Sequence, residues 1–213
     1  STSASAASAT QWRFARSPAF DQLAVTYRNG EEAQLNAILE SLGGGVGLLD
    51  YDADGWLDLG ISGGGTLTPA EVQGLPTFLV RQHRPGEFAH VATLARLTTV
   101  THYSHGVTAA DFNNDGFVDL LITGYGGVQL WCNLGDGTFY DTTAEAQLLD
   151  RSWSSSAAAG DFNRDGVPDL YIAHYVNWSL DNNPPCNGPQ GSRDVCPPRQ
   201  FEGVDDVLYL GQG

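Results

Sequence analysis

From Gly43 onward, short apolar runs alternate with clusters of Gly, Asn and Asp, and the arrangement repeats. Three stretches begin alike. The first reads Gly-Val-Gly-Leu-Leu-Asp50-Tyr-Asp52-Ala-Asp54-Gly55-Trp-Leu-Asp58-Leu, and the second Gly-Val-Thr-Ala-Ala-Asp111-Phe-Asn113-Asn-Asp115-Gly116-Phe-Val-Asp119-Leu. The third reads Ser-Ala-Ala-Ala-Gly-Asp161-Phe-Asn163-Arg-Asp165-Gly166-Val-Pro-Asp169-Leu. The leading aspartates are offset by 61 and then 50 residues, a period that fits one four-stranded propeller blade per repeat. Each repeat continues in register: an apolar strand (Leu59 to Ser62, Leu120 to Thr123, Leu170 to Ala173), then a third (Thr77 to Arg81, Val128 to Cys132, Asp206 to Leu210). A Gly-bearing turn and a fourth strand follow in the first two, over 85–90 and 135–141, and the third stops at Gly211-Gln-Gly213, where that turn is due. Such turn-bounded runs are hairpin signals. The predicted fold is all-β: a partial β-propeller of about three blades, over 43–94, 104–145 and 153–213, with hairpin loops suited to a metal and one short N-terminal helix.

Before Gly43 the pattern differs. Residues 1–16 form a leader or arm rich in Ser and Ala, and 17–42 hold a strand within 19–28 followed by a helix from Glu31 to Leu42. That helix is predicted because Leu35, Ile38, Leu39 and Leu42 share one face, with Glu31 and Glu32 at its start and Gly43 at its end.

The acidic loop has the form D-x-[DN]-x-D-G-x-x-D. Carboxylates and amide oxygens at alternate positions converge as the chain curls, glycine permits the sharp turn, and a backbone carbonyl follows it. Hard divalent cations take six to eight such oxygens. The predicted ligands are Asp50, Asp52, Asp54, the Trp56 carbonyl and Asp58 in the first loop. In the second they are Asp111, Asn113, Asp115, the Phe117 carbonyl and Asp119, and in the third Asp161, Asn163, Asp165, the Val167 carbonyl and Asp169. Without a cation the clustered charges oppose folding. One such loop is also compatible with an ordinary acidic turn; three in register argue for about three bound Ca²⁺. An EF-hand is excluded, since position twelve is Ile61, Ile122 or Ile172 where a Glu is needed, and the flanks are strand-like.

These loops, with the Asn133-Leu-Gly-Asp-Gly-Thr-Phe139 turn and the Asp206-Val-Leu-Tyr-Leu run, resemble the FG-GAP/VCBS repeats of integrin-α-like propellers. The resemblance covers roughly 43–213 and is nearest the cartilage acidic protein-like set. It implies calcium held between strands at the blade rim, a ring commonly of seven blades, and a secreted or surface-displayed protein. Three repeats cannot close such a ring: more sequence follows, other chains supply blades, or the chain is a fragment.

Composition adds limits. The net charge is −15 and all ten basic residues are Arg, which disfavours nucleic acid and anionic membranes as partners. No apolar run is long enough to span a bilayer, and no secretory leader remains, as in a processed product. Cys186 and Cys196, in a loop rich in Pro and Gly, are expected to form a disulfide closing a short loop, and Cys132 to be buried and inert. His102 and His105 could ligate a transition metal but read better as packing against the blade. Asn177-Trp-Ser179 is a glycosylation sequon. No nucleophile elbow is present, and Gly63 to Gly65 lack the lysine of a phosphate loop. The expected role is non-enzymatic: a secreted, cell-surface or periplasmic calcium-binding module that binds or adheres to an extracellular protein, a glycan or copies of itself. Two alternatives are a structural subunit of an extracellular fibre or multichain assembly, and the propeller part of a larger secreted hydrolase or lyase.

Overall fold

The computed structural model describes residues 13–213; residues 1–12 of the expected leader lie outside the described residues. The chain is mostly β, arranged as several separate open sheets. Three of them follow the repeats. The first sheet is Val46–Leu49, Asp58–Ile61, Phe78–Arg84 and Glu87–His90, hydrogen-bonded in that order. The second is Tyr103–Ala110, Asp119–Tyr125, Gly127–Asn133 and Phe139–Asp141, also in chain order. The third has Ser154–Gly160, Asp169–His174 and Val207–Tyr209. All neighbouring strands in these sheets are antiparallel.

The sheets stack because one face of each carries apolar side chains aimed at the next. Between the first and second lie Tyr51, Leu79 and Leu97 from one side and Leu120, Trp131 and Phe139 from the other, with Val107, Ala109 and Val118 against them. Between the second and third lie Leu121, Leu130 and Leu148 with Leu170 and Ile172. The first strands of the second and third sheets run close, Thr108 Oγ1 donating to the Ala157 carbonyl at 2.9 Å, and Ser62, just past the second strand of the first sheet, donates its Oγ to the His105 carbonyl at 2.8 Å. A Cβ on Gly45 would stand 2.8 Å from the His105 oxygen, so glycine is needed there.

Away from the acidic loops, the links between second and third strands carry inserts. The first holds a hairpin, Gly64–Leu67 with Val72–Gly74, and Arg28–Asn29 pairs parallel to it. The third holds a small hairpin, Cys186–Asn187 with Arg193–Asp194, and the disulfide Cys186–Cys196. The insert closes over the N-terminal segment, and Ile38, Leu39, Tyr103, Trp153, Trp178 and Phe201 form a shared core.

This packing explains two departures from expectation. The helix predicted from Glu31 to Leu42 is replaced by two 3-10 turns, Glu31–Ala33 and Ile38–Ser41, separated by Gln34 and Asn36, each at φ 52°. Ile38 and Leu39 are fully buried against the insert, and specific bonds hold the irregular chain: Leu35 N donates to Glu40 Oε1 at 3.1 Å, and Asn29 Nδ2 to the Glu40 carbonyl at 2.8 Å. Tertiary packing has overridden helix propensity. The strand expected within 19–28 is confined to Arg28–Asn29, and Pro18–Asp21 is a single α-helical turn. Ser17 caps that turn and Pro18 opens it, a start signal that outweighs the β-rich composition beyond.

Candidate metal loops

Each acidic loop joins the first strand of a sheet to the second, and all three fold alike. The leading aspartate accepts two backbone N–H bonds from across its loop. Asp50 takes them from Asp54 (3.0 Å) and Gly55 (2.9 Å) and Asp111 from Asp115 (3.0 Å) and Gly116 (2.8 Å). Asp161 takes them from Asp165 (3.1 Å) and Gly166 (3.0 Å), with a third from Arg164 at 2.6 Å. The aspartate at position five accepts from the residue after the glycine: Asp54 from Trp56 at 2.9 Å, Asp115 from Phe117 and Asp165 from Val167 at 2.8 Å each. The glycines Gly55, Gly116 and Gly166 have φ of 88°, 93° and 87°, a region that disfavours any side chain.

The aspartate at position nine turns inward. Asp58, Asp119 and Asp169 are at most 2% exposed. One carboxylate oxygen of each accepts the amide two residues into the loop: Tyr51 at 3.1 Å, Phe112 at 2.9 Å and Phe162 at 2.8 Å. The other accepts an amide from or just past the third strand: Gln82 at 2.7 Å, Asn133 at 2.8 Å and Gly211 at 2.9 Å. This residue therefore ties the loop to two strands. Burial pushes Asp58 up to about 6, with the charges of Asp52 and Asp54 adding to the effect against its two amide donors. Burial also raises Asp119, helped by Asp115 and Asp111. Asp169 is instead held below the usual range, chiefly by the Gly211 amide, which outweighs its burial.

The loops differ in what they leave unmatched. In the first, Asp50, Asp52 and Asp58 each bring a carboxylate oxygen within 4.8 Å of the others. Among the described residues, the carboxylates of the second and third loops do not converge to that degree. Asn113 and Asn163 replace Asp52 there, and their side-chain amides donate to Asp115 (2.8 Å) and Asp165 (2.7 Å). The extra charge of the first loop meets Arg81, whose Nε lies 2.6 Å from Asp52 and whose Nη2 lies 2.8 Å from Asp54. Asp52 Oδ1 is buried with no hydrogen-bond partner. Oxygen donors only, a carboxylate oxygen with no proton donor and crowded like charges suit a hard divalent cation at this loop.

Arg81 lies in the third strand of the first sheet, at a position to which the loop pattern assigns no role. Its register position is held by Cys132 in the second repeat and Leu210 in the third, and the change of residue type at the repeat with the additional Asp was the available signal. Cys132 is a free, half-buried thiol that takes a 3.4 Å contact from Asn113 Nδ2, and burial raises its pKa to about 11. His102 and His105 are buried, where loss of water lowers each to about 4. His105 stacks on Trp153 at 5.8 Å, and its Nδ1 lies 3.2 Å from the Tyr27 hydroxyl.

The third repeat extends the same geometry to the end of the chain, through the Gly211 amide on Asp169. Among the described residues no helix is long and apolar enough to cross a membrane. Comparison with curated proteins returns no match. A family model does match: residues 50–122 and 111–172 fit the FG-GAP-like repeat, each match running from the leading aspartate of one acidic loop to the strand after the next. These two overlapping matches take in more than half of the chain, which belongs to the FG-GAP-like repeat family.

Proposed function

We propose that the chain is a calcium-binding β-propeller module of the extracellular space, acting by binding or adhesion. Calcium is read as structural, held by Asp50, Asp52, Asp54, Asp58 and the Trp56 carbonyl and by their counterparts in the other two loops. The observation that carries this reading is the buried, unpartnered oxygen of Asp52 beside Asp50 and Asp58. The disulfide supports an oxidising compartment. An adhesion role follows the usual company of FG-GAP-like repeats, and the acidic surface points to a protein or glycan partner.

The reading is non-enzymatic. Asp58, Asp119 and Asp169 commit both oxygens to backbone amides, His105 is sealed between Tyr103 and Trp153, and His102 is buried. Calcium adds positive charge where carboxylates crowd; the protein's own residues supply the oxygens, the turn and the tie to the sheet. Extracellular calcium modules bind with Kd of roughly 10⁻⁴–10⁻³ M, so tenfold excess adds about 1.4 kcal/mol per site. Calorimetric titration of the calcium-stripped chain tests the reading. About three sites in that affinity range support it, and the absence of binding heat with unchanged stability contradicts it.

A further inference from the structure

The third repeat holds a group of ionisable side chains that the acidic loops do not use, placed where the insert leaves the sheet. His174 ends the second strand, and Asp205 and Asp206 lead back into the third, so they meet across the neck of the insert. His174 N donates to Asp206 Oδ1 at 2.8 Å, and Asp206 Oδ2 accepts the Tyr171 hydroxyl at 2.6 Å. Beyond the neck the two arms stay paired. Val204 N donates to the Tyr175 carbonyl at 3.1 Å, Asn177 N to that of Glu202 at 3.0 Å, and Val176 bridges Gly203.

The His174 side chain is 2% exposed. Its Nδ1 lies 2.5 Å from the Asp205 carbonyl oxygen. A carbonyl accepts and cannot donate, so Nδ1 carries a proton, and in the neutral ring Nε2 bears a lone pair. Nε2 is buried with no hydrogen-bond partner, and Asp150 Oδ2 stands 3.6 Å from it. Two acceptors thus face each other away from water, which is unfavourable. A proton on Nε2 turns the same pair into a charge-assisted contact while Nδ1 keeps its bond across the neck. The other oxygen of Asp150 is held by the Ser152 amide at 2.7 Å, which aims the carboxylate.

The arrangement comes with the long insert. In the second repeat, whose second and third strands are joined by a tight turn, the residues at the positions of Asp150, His174 and Asp206 are Val100, Gly124 and Val128. A histidine ring fills the same place there, but from the first strand: a Cβ on Gly124 would stand 2.4 Å from His102 Cδ2. That ring meets the Thr101 hydroxyl at 2.9 Å through Nδ1. Around His174 the titratable groups are Asp150 from the preceding link, Asp205 and Asp206 from the far arm, and Tyr171 on its own strand, with Tyr209 of the next strand toward Asp150. All of these are acids, so a proton on the ring is the one positive charge among them.

We infer that His174 is a pH-operated latch on the insert: its protonated ring ties Asp150 to the Asp205 carbonyl and holds the neck closed, and loss of the proton loosens it. Proton uptake and closure are linked, so the insert is held more firmly in mild acid and opens more often as pH rises. Opening there releases the arm that carries Phe201, which packs with Trp178 and Trp153 over Ile38 and Leu39. The latch acts apart from the acidic loops and does not require that they bind calcium.

Hydrogen exchange of the full chain, read by mass spectrometry in excess calcium at about pH 5.5 and about pH 8.5, tests this. The two values bracket an ordinary histidine, while His102 and His105, lowered to about 4, stay neutral throughout. Protection is corrected for the pH dependence of exchange itself, with peptides from the second sheet as the reference. Protection at the Asn177 and Val204 amides is expected to fall about tenfold against that reference as pH rises, the size of a hydrogen bond to a charged group. His174→Gln, which takes up no proton, is expected to abolish the fall. So is Asp150→Asn, which removes the carboxylate and offers the neutral ring an amide donor. Circular dichroism checks that both fold; should His174→Gln not fold, Asp150→Asn, at a partly exposed position, decides alone. Equal protection at both pH values in the unmodified chain, or a fall that persists in either folded variant, overturns the proposal.

Discussion

At the scale of single residues, the aspartate at position nine is the piece on which each loop depends. Asp119 accepts Phe112 N–H and Asn133 N–H in a site closed to water. Replacing it by Ala orphans two buried donors, and Asp119→Ala is expected to cost about 3 kcal/mol in calcium-free urea unfolding. Asp119→Asn, which keeps one acceptor oxygen, is expected to cost less. Equal costs would show that the carboxylate geometry is not what matters. Arg81 makes the opposite kind of prediction. It holds the place of positive charge beside Asp52 and Asp54, so Arg81→Gln should weaken the calcium-free protein and strengthen calcium binding at the first loop. The gain expected in titration is roughly tenfold, on the order of 1 kcal/mol for removing one charge from a half-exposed site. Unchanged affinity would separate Arg81 from any cation site.

The histidines give a pH signature at the same scale. His102 and His105 are neutral in the fold with pKa about 4, against about 6.5 when unfolded. Burial is the main cause for both; Arg151 also lowers His102 while Asp141 opposes it, and His102 lowers His105. The unfolded chain therefore takes up protons first as pH falls, and stability is lost from about 6.5 down to about 4. Asp58, raised to about 6, works the other way. The clean readout is a difference: His105→Phe should flatten the fall in thermal midpoint between pH 7 and pH 4 relative to the unmodified chain. Parallel curves would contradict the assignment.

Among elements, legibility followed periodicity. The strands flanking the acidic loops were readable because Asp, Gly and the apolar run after them recur at fixed positions, and Leu120, Leu170 and Ile172 lie buried in strands as that pattern requires. The segment Glu31 to Leu42 was misread because its helical spacing is real but serves another purpose. Ile38 and Leu39 reach an insert more than a hundred residues away, around Trp178 and Phe201, and nothing local encodes that contact. The same insert carries the disulfide between Cys186 and Cys196. Cys196→Ser should therefore lower stability by about 3 kcal/mol under oxidising conditions, by the loop-closure account, and loosen the turns at Glu31–Ala33 and Ile38–Ser41. Proteolysis with and without reductant would check this; identical cleavage in that segment would place its order elsewhere. In the acidic loops the spacing of Asp, Asn and Gly was legible, but the inward turn of Asp58 and the ion pairs of Arg81 were not, since both depend on the third strand's register.

At the scale of the whole molecule, three repeats stack through two equivalent apolar interfaces. The net charge of −15 is concentrated where it costs most, in loops at corresponding edges of the three sheets. Bound calcium would relieve that crowding, and thermal unfolding in excess calcium and then in excess EGTA tests this most directly. A large calcium-dependent rise in the midpoint is expected, reduced by Asp50→Asn and Asp111→Asn together. A midpoint that is the same in calcium and in EGTA would contradict it and return the acidic loops to solvated turns held by their own backbone hydrogen bonds.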